Sequence, residues 1–141
     1  MSKVDRVTEY AKEVVESYEG IINALDRRLT VGRLHYLACK RHLNDLEKQN
    51  TTEFPYYWDI SASERILEYA ETLIIAEGGQ PKPVKLIGSQ IFDVGCRFGW
   101  KNQKGFRRFR RSYKSEARQN GKTFENGIIG TYIGNFSGYN Y

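Results

Sequence analysis

Ala117-Arg118-Gln119-Asn120-Gly121-Lys122-Thr123, running on into Phe124-Glu125-Asn126-Gly127-Ile128-Ile129-Gly130-Thr131-Tyr132-Ile133, is the stretch on which the reading of this chain turns. A short polar loop that ends in Gly-Lys-Thr and enters a helix has the make-up of a phosphate-binding loop. Backbone N–H groups at a helix N-terminus point outward with partial positive charge and can hold a polyphosphate. Gly121 lets the backbone approach closely, Lys122 reaches terminal phosphates, and the Thr123 hydroxyl ligates magnesium. The full pattern has a further glycine five residues before Gly121, where this chain has Glu116. Asn120-Gly121-Lys122 also suits a turn in a basic surface loop. The stretch alone leaves both readings open.

The loop lies at the end of a charge run. Residues 1–96 hold 12 basic and 15 acidic side chains, a net of −3, whereas residues 97–141 hold 10 and 2, a net of +8. All ten of those basic residues lie between Arg97 and Lys122, interleaved with Phe98, Trp100, Phe106, Phe109 and Tyr113. A basic, aromatic run of this kind suits a phosphate backbone. It equally suits solvated residues around a nucleotide site, or a face docking on a neighbouring subunit.

Moving outward, the pattern predicts one strand, from about Arg108 to Ala117, before the loop and a last helix from about Lys122 to Phe136. A helix from about Ile87 to Phe98 carries Gln90 in its first turn. Another opens at a capping box, with Ser61 as N-cap and Glu64 three residues on, and ends at Gly78-Gly79. Pro81 and Pro83 stiffen the connector that follows, which divides a helical region (1–80) from the part bearing the loop (81–141). Apolar spacing predicts two earlier helices. One runs from about Val4 to Glu19 and stops at Gly20; the other runs from about Val31 to Lys48 with Thr30 as N-cap. Residues 49–58 read as a loop whose aromatics pack on the helices.

The rest of the composition narrows the class. With 141 residues, 40% of them hydrophobic, and a mean hydropathy of −0.63, the chain is long enough for one domain with a core. No run approaches the roughly 20 apolar residues of a membrane span. Asp5, Glu9 and Glu13 near the start do not suit a signal peptide. Cys39 and Cys96 lack metal-ligand spacing and read as reduced thiols. His35 and His42 share a helix face with no third ligand near them, which favours a structural role over metal binding.

From Ala38 to Thr123 the chain resembles the N-terminal part of the terminase large subunits of tailed bacteriophages, ATP-driven DNA-packaging motors. The resemblance is carried by Ala38-Cys39-Lys40-Arg41-His42-Leu43-Asn44-Asp45-Leu46-Glu47 and by Ala62-Ser63-Glu64-Arg65-Ile66-Leu67-Glu68-Tyr69-Ala70-Glu71-Thr72-Leu73. It continues through Leu86-Ile87-Gly88-Ser89-Gln90-Ile91-Phe92, Phe98-Gly99-Trp100-Lys101, Gly105-Phe106-Arg107-Arg108-Phe109-Arg110 and Arg118-Gln119-Asn120-Gly121-Lys122-Thr123. Six blocks in the family's order carry more than any one of them. The family's loop resembles an Arg-x-Asn-Gly-Lys-Ser/Thr variant, which accounts for Glu116 in place of glycine.

The resemblance implies an α/β P-loop NTPase fragment: a mostly helical N-terminal or lid region plus one strand–loop–helix unit, with the parallel sheet incomplete. It implies ATP and Mg2+ as ligands, with residues 118–123 (Arg118, Gln119, Asn120, Gly121, Lys122, Thr123) and Gln90 binding the nucleotide. Arg118 and Lys122 act on the transferring phosphoryl group, Thr123 holds the metal, and Gln90 selects adenine. In the parent protein the partners are double-stranded viral DNA, further large-subunit copies, the small terminase subunit and the portal. Its place is the cytoplasm of an infected bacterium, away from any membrane. Two departures stand out: Ser89 replaces an aromatic residue before the glutamine, and Lys114 and Glu116 occupy strand positions that are usually apolar. A buried strand does not carry unpaired charges on its core face.

An acidic strand end to bind magnesium and activate water, flanking parallel strands, and the family's nuclease domain are all missing from these residues. The expectation is an N-terminal piece that ends just past the loop and cannot hydrolyse ATP alone. The alternatives are a non-enzymatic module, docking through its helices and binding nucleic acid through residues 97–122, and a remnant with no activity of its own.

Overall fold

A computed structural model describes residues 4–20, 31–118 and 121–136. It contains five helices and four short strands: α1 (Arg6–Tyr18), α2 (Arg33–Lys48), β1 (Tyr56–Trp58), α3 (Ile60–Thr72), β2 (Ile74–Glu77), β3 (Gln80–Pro83), α4 (Gly88–Gly99), β4 (Trp100–Asn102) and α5 (Lys122–Phe136). The class is mixed, helices with two two-stranded sheets. Both sheets are antiparallel, β1 with β4 and β2 with β3, and no parallel pair occurs among the described residues.

Four of the helices are close to their predicted spans, α3 ends six residues short of Gly78, and two caps differ. The residue that caps α3 is Asp59, whose carboxylate accepts from the Ala62 N–H at 2.9 Å. Ser61 is exposed, and Glu64 instead turns to α1, accepting from the Arg6 backbone N–H at 3.1 Å and from Arg6 Nε at 2.8 Å. An acid facing the first turn of a neighbouring helix complements that helix's dipole. Thr30, expected to cap α2, lies outside the described residues, and Gly32 occupies the N-cap position. In α1 the cap is Asp5, which accepts from Thr8 N at 3.1 Å.

Two strand pairs replace what the pattern read as helix end, connector and loop. The helix α3 stops at Thr72, because the β-branched Ile74-Ile75 enters a hairpin closed by Gly78-Gly79 at φ 62° and 81°. Positive φ at both central residues gives the turn whose twist matches the strands. Val84 N donates to Leu73 O at 2.9 Å, so N–H groups at even positions of β3 face β2. Pro81 and Pro83, at odd positions, direct their missing N–H groups away from the ladder and are tolerated there. The second pair joins Trp58 opposite Trp100 and Tyr56 opposite Asn102, three residues from each of two distant segments.

The expected strand over about Arg108–Ala117 is not formed. Arg108 N still donates to Trp100 O at 2.8 Å, but beyond it the chain is irregular and makes no backbone ladder among the described residues. Among the described residues no neighbouring strand offers it a ladder, and side-chain ion pairs fix it instead.

The core joins Val7, Ala11 and Val14 of α1 with Cys39 of α2, Ile66, Leu67 and Ala70 of α3, Phe92, Val94 and Phe98 of α4, and Ile128 and Tyr132 of α5. The central helix is α4. At Gly95 a Cβ would stand 2.3 Å from Val7 Cγ2 and 2.8 Å from Ser63 Oγ, so only glycine lets α4 meet α1 and α3 this closely. His42 is buried beside α4 and anchors a hydrogen-bond chain. Trp100 Nε1 donates to its Nδ1 at 3.0 Å, which places the ring proton on Nε2, 3.0 Å from Thr8 Oγ1. Thr8 Oγ1 in turn donates to Asp5 at 2.6 Å, and the same carboxylate accepts from Trp58 Nε1 at 2.7 Å. Burial pushes the His42 pKa down to about 4, which keeps the ring neutral. Cys39 and Cys96 are free thiols.

Candidate functional site

The loop meets the body at the first turns of α4 and α5. Gly121 has φ 80°, a conformation that side chains resist, and Glu125 N donates to Gly121 O at 2.9 Å to start α5. The next N–H groups along, those of Lys122, Thr123 and Phe124, have no acceptor among the described residues. They form the electropositive end of a 15-residue helix.

Gln90 stands directly against this turn. Its Nε2 would lie 3.1 Å from a Cβ on Gly121, so the glycine makes the room in which the two elements meet. Its Oε1 accepts from the Ile87 N–H at 3.1 Å and caps α4. Half of the amide is therefore committed to the helix, and Nε2 faces the loop. The ammonium of Lys122 folds back over the loop, donating to Glu116 O at 2.5 Å and to Ala117 O at 3.4 Å. Arg118 and Thr123 are exposed, with no partner among the described residues. Gln119 and Asn120 lie outside them. Thus Gln90, Gly121 and Lys122 are brought together, while Arg118 and Thr123 face solvent beside them.

Lys114 builds the junction. Its ammonium reaches Asp93 of α4 at 2.5 Å, Glu116 of the loop segment at 3.1 Å and Glu125 of α5 at 2.6 and 2.8 Å. The two charges that set this segment apart from a buried strand are therefore paired with each other and with both helices. Burial works against the Lys114 charge, yet the surrounding carboxylates hold its pKa above the usual lysine range. Three carboxylates facing one ammonium leave negative charge in excess. Glu125, 1% exposed, accordingly has its pKa raised by burial, with Lys114 opposing.

The sequence pattern marks Lys114 and Glu116 only as departures from an apolar strand and gives Glu125 no role. The alternation of Lys114 and Glu116, two positions apart just before the loop, is the available signal. Asp93 carried none, because its partner is 21 positions further along the chain.

Several cations of the basic run serve the fold. Lys101 pairs with Asp59 at 2.9 Å, and Arg108 with Asp45 at 2.7 Å under the rings of Phe54, Tyr56, Trp100 and Phe109. Arg107 stacks on Phe98. Among the described residues there is no cluster of three or more His, Cys, Asp or Glu able to hold a metal ion, and no helix is long and apolar enough to cross a membrane. No protein-family model, curated protein or solved structure matches the chain.

Proposed function

We propose that this chain is a nucleotide-binding part of a terminase large subunit, the ATP-driven motor that packages viral DNA and cuts it. The observation that supports it most is the meeting of Gln90 with Gly121 at the start of α5, two residues far apart in sequence that the family resemblance assigns to one ligand. A surface turn gives no reason for that meeting. The N–H groups of Lys122, Thr123 and Phe124, without an acceptor among the described residues at the start of α5, suit a polyphosphate.

In this reading the P-loop NTPase class applies to the loop–helix unit, with Lys114 and its carboxylates fixing what a flanking sheet fixes elsewhere. ATP, when bound with Mg2+, supplies a transferable phosphoryl group. Residues 118–123 and Gln90 hold it. Lys122 leaves the carbonyls of Glu116 and Ala117 for phosphate oxygens, and Arg118 adds a second cation. Thr123 offers its hydroxyl to the metal, and the Gln90 amide orients the base. The partners implied are double-stranded DNA, further copies of the large subunit, the small subunit and the portal, in the cytoplasm of an infected bacterium.

The test is a titration with a non-hydrolysable ATP analogue and magnesium, with Lys122→Ala as control. Saturable binding that disappears in the variant is expected. Absence of binding by a chain whose helices are intact by circular dichroism would sink the reading. The second reading, a basic module for nucleic acid, draws on Arg110, Arg111, Lys104 and Arg118, which have no carboxylate partner among the described residues. It requires DNA binding that is salt-sensitive and indifferent to nucleotide.

A further inference from the structure

Beside the Lys114 junction, α2, α4 and the segment 109–114 line an open cavity of about 300 Å³. Arg41 of α2, Arg97 of α4 and Arg111 of the segment line it together with Phe109, Tyr113 and Ser112. Two arginines elsewhere in this protein are held by carboxylates. Arg6 is held by Glu64 and Glu71, and Arg108 by Asp45. None of the three cavity arginines has an acidic partner among the described residues. The one carboxylate at the wall, Asp93, is already paired with Lys114.

Three guanidinium groups gathered around one concavity repel each other, and the one carboxylate at the wall is shared with Lys114. Guanidinium is also the group whose planar fork matches a phosphate or carboxylate. The remaining wall is aromatic: Phe109 lies 5.4 Å under the Arg41 guanidinium, and Tyr113 is 92% exposed, an unusual placing for a large ring with no packing partner. A cation-lined hollow with two accessible rings and a hydroxyl fits a ligand with one anionic end and a flat apolar body. Its size suits a small ligand.

We propose that this cavity is a second binding site, for a small phosphate monoester carrying a planar group, separate from the loop at Gly121. The phosphate is held by Arg41, Arg97 and Arg111, the planar group lies against Phe109 and Tyr113, and Ser112 donates to a phosphate oxygen. The site does not depend on nucleotide binding at residues 118–123.

Phenyl phosphate tests this on the full chain, followed by amide resonances in two-dimensional NMR. Saturable shifts at the amides of Asp93, Arg97 and Ser112 are expected, with inorganic phosphate weaker by about tenfold for want of the ring. Arg41→Gln and Arg111→Gln should each weaken phenyl phosphate by about tenfold. Arg111→Lys should bind more tightly than Arg111→Gln but less tightly than the parent, which separates loss of charge from loss of the guanidinium fork. Lys122→Ala should leave it unchanged. Equal loss in Lys122→Ala would mean that the ligand sits on the loop, and would overturn the second site. So would shifts that never saturate, or glutamine variants that bind like the parent. Binding confined to a single-stranded oligonucleotide, with phenyl phosphate inert, would make the cavity a backbone contact and refute the small-ligand site.

Discussion

The two sides of α4 are closed by opposite means. Towards α1 and α2 the helix is sealed with apolar side chains and a chain of hydrogen bonds from a neutral His42 through Thr8 to the Asp5 carboxylate. Towards the segment 109–121 it is sealed by Lys114 among Asp93, Glu116 and Glu125. The first kind of seal rests on apolar packing, with His42, Thr8, Asp5 and the two tryptophans linked by hydrogen bonds. The second carries more negative than positive charge, so its balance shifts with protonation and with any cation or anion brought near. Stability sits on the first side. The second side is where a charged ligand can act.

The sharpest way to break this contrast is Trp100→Ala. Trp100 is 1% exposed, and its loss opens a cavity and removes the donor to His42. A cost of about 3–5 kcal/mol is expected in urea unfolding. A cost below about 1 kcal/mol would mean that the neutral side is not the main seal.

Acid distinguishes the sides by sign. His42 has a folded pKa of about 4, below its ordinary 6.5, so between those values the unfolded chain binds the extra proton. Stability should therefore be full above that window and fall by up to about 3 kcal/mol as pH drops through it. In His42→Gln this slope should vanish, which melting curves at several pH values would reveal.

Lys114→Met probes the other side. Removing the ammonium leaves Glu125 buried beside two carboxylates, at a cost of about 2 kcal/mol at neutral pH. Glu125 already has a pKa raised above its ordinary 4.5, a shift that favours the folded state in acid and is lost as pH rises. The variant's deficit should shrink on acidification, opposite in sign to the His42 effect. A deficit that grew in acid would contradict the assigned pairing.

Gly121→Ala should have the smallest effect on stability, about 1 kcal/mol for the left-handed backbone. Because its Cβ would press on Gln90 at 3.1 Å, nucleotide affinity should suffer more than the fold. A variant that binds the ATP analogue as the parent does would separate Gln90 and Gly121 from the site.

The spans of the helices could be read from spacing, because α1, α2 and α4 each bury one stripe against a single core. Caps were less legible: Ser61 and Asp59 are both good N-caps, and only the tertiary setting of Glu64, drawn off to Arg6, separates them. The strands were not legible. Tyr56–Trp58 and Trp100–Asn102 are three residues long and pair across more than 40 positions, too short for a period to register. In Ile74–Pro83 the prolines read as breakers, whereas on an outer edge they cost no hydrogen bond. At the site, the loop residues could be found from composition, and Gln90 only through family resemblance. The partners of Lys114 could not be found at all, since an ion pair across 21 positions leaves no local pattern.

The hairpin of β2 and β3 stands out from the body, with every residue of Gln80–Pro83 exposed. An exposed strand ordinarily invites another chain to add to it. Here Pro81 and Pro83 strip the outer margin of β3 of donors and leave only carbonyls, so a second copy cannot zip onto it as a ladder. The same two residues that interrupt the pattern in sequence thereby act as a guard against aggregation. Their replacement by threonine would leave the fold intact and make the protein prone to self-association.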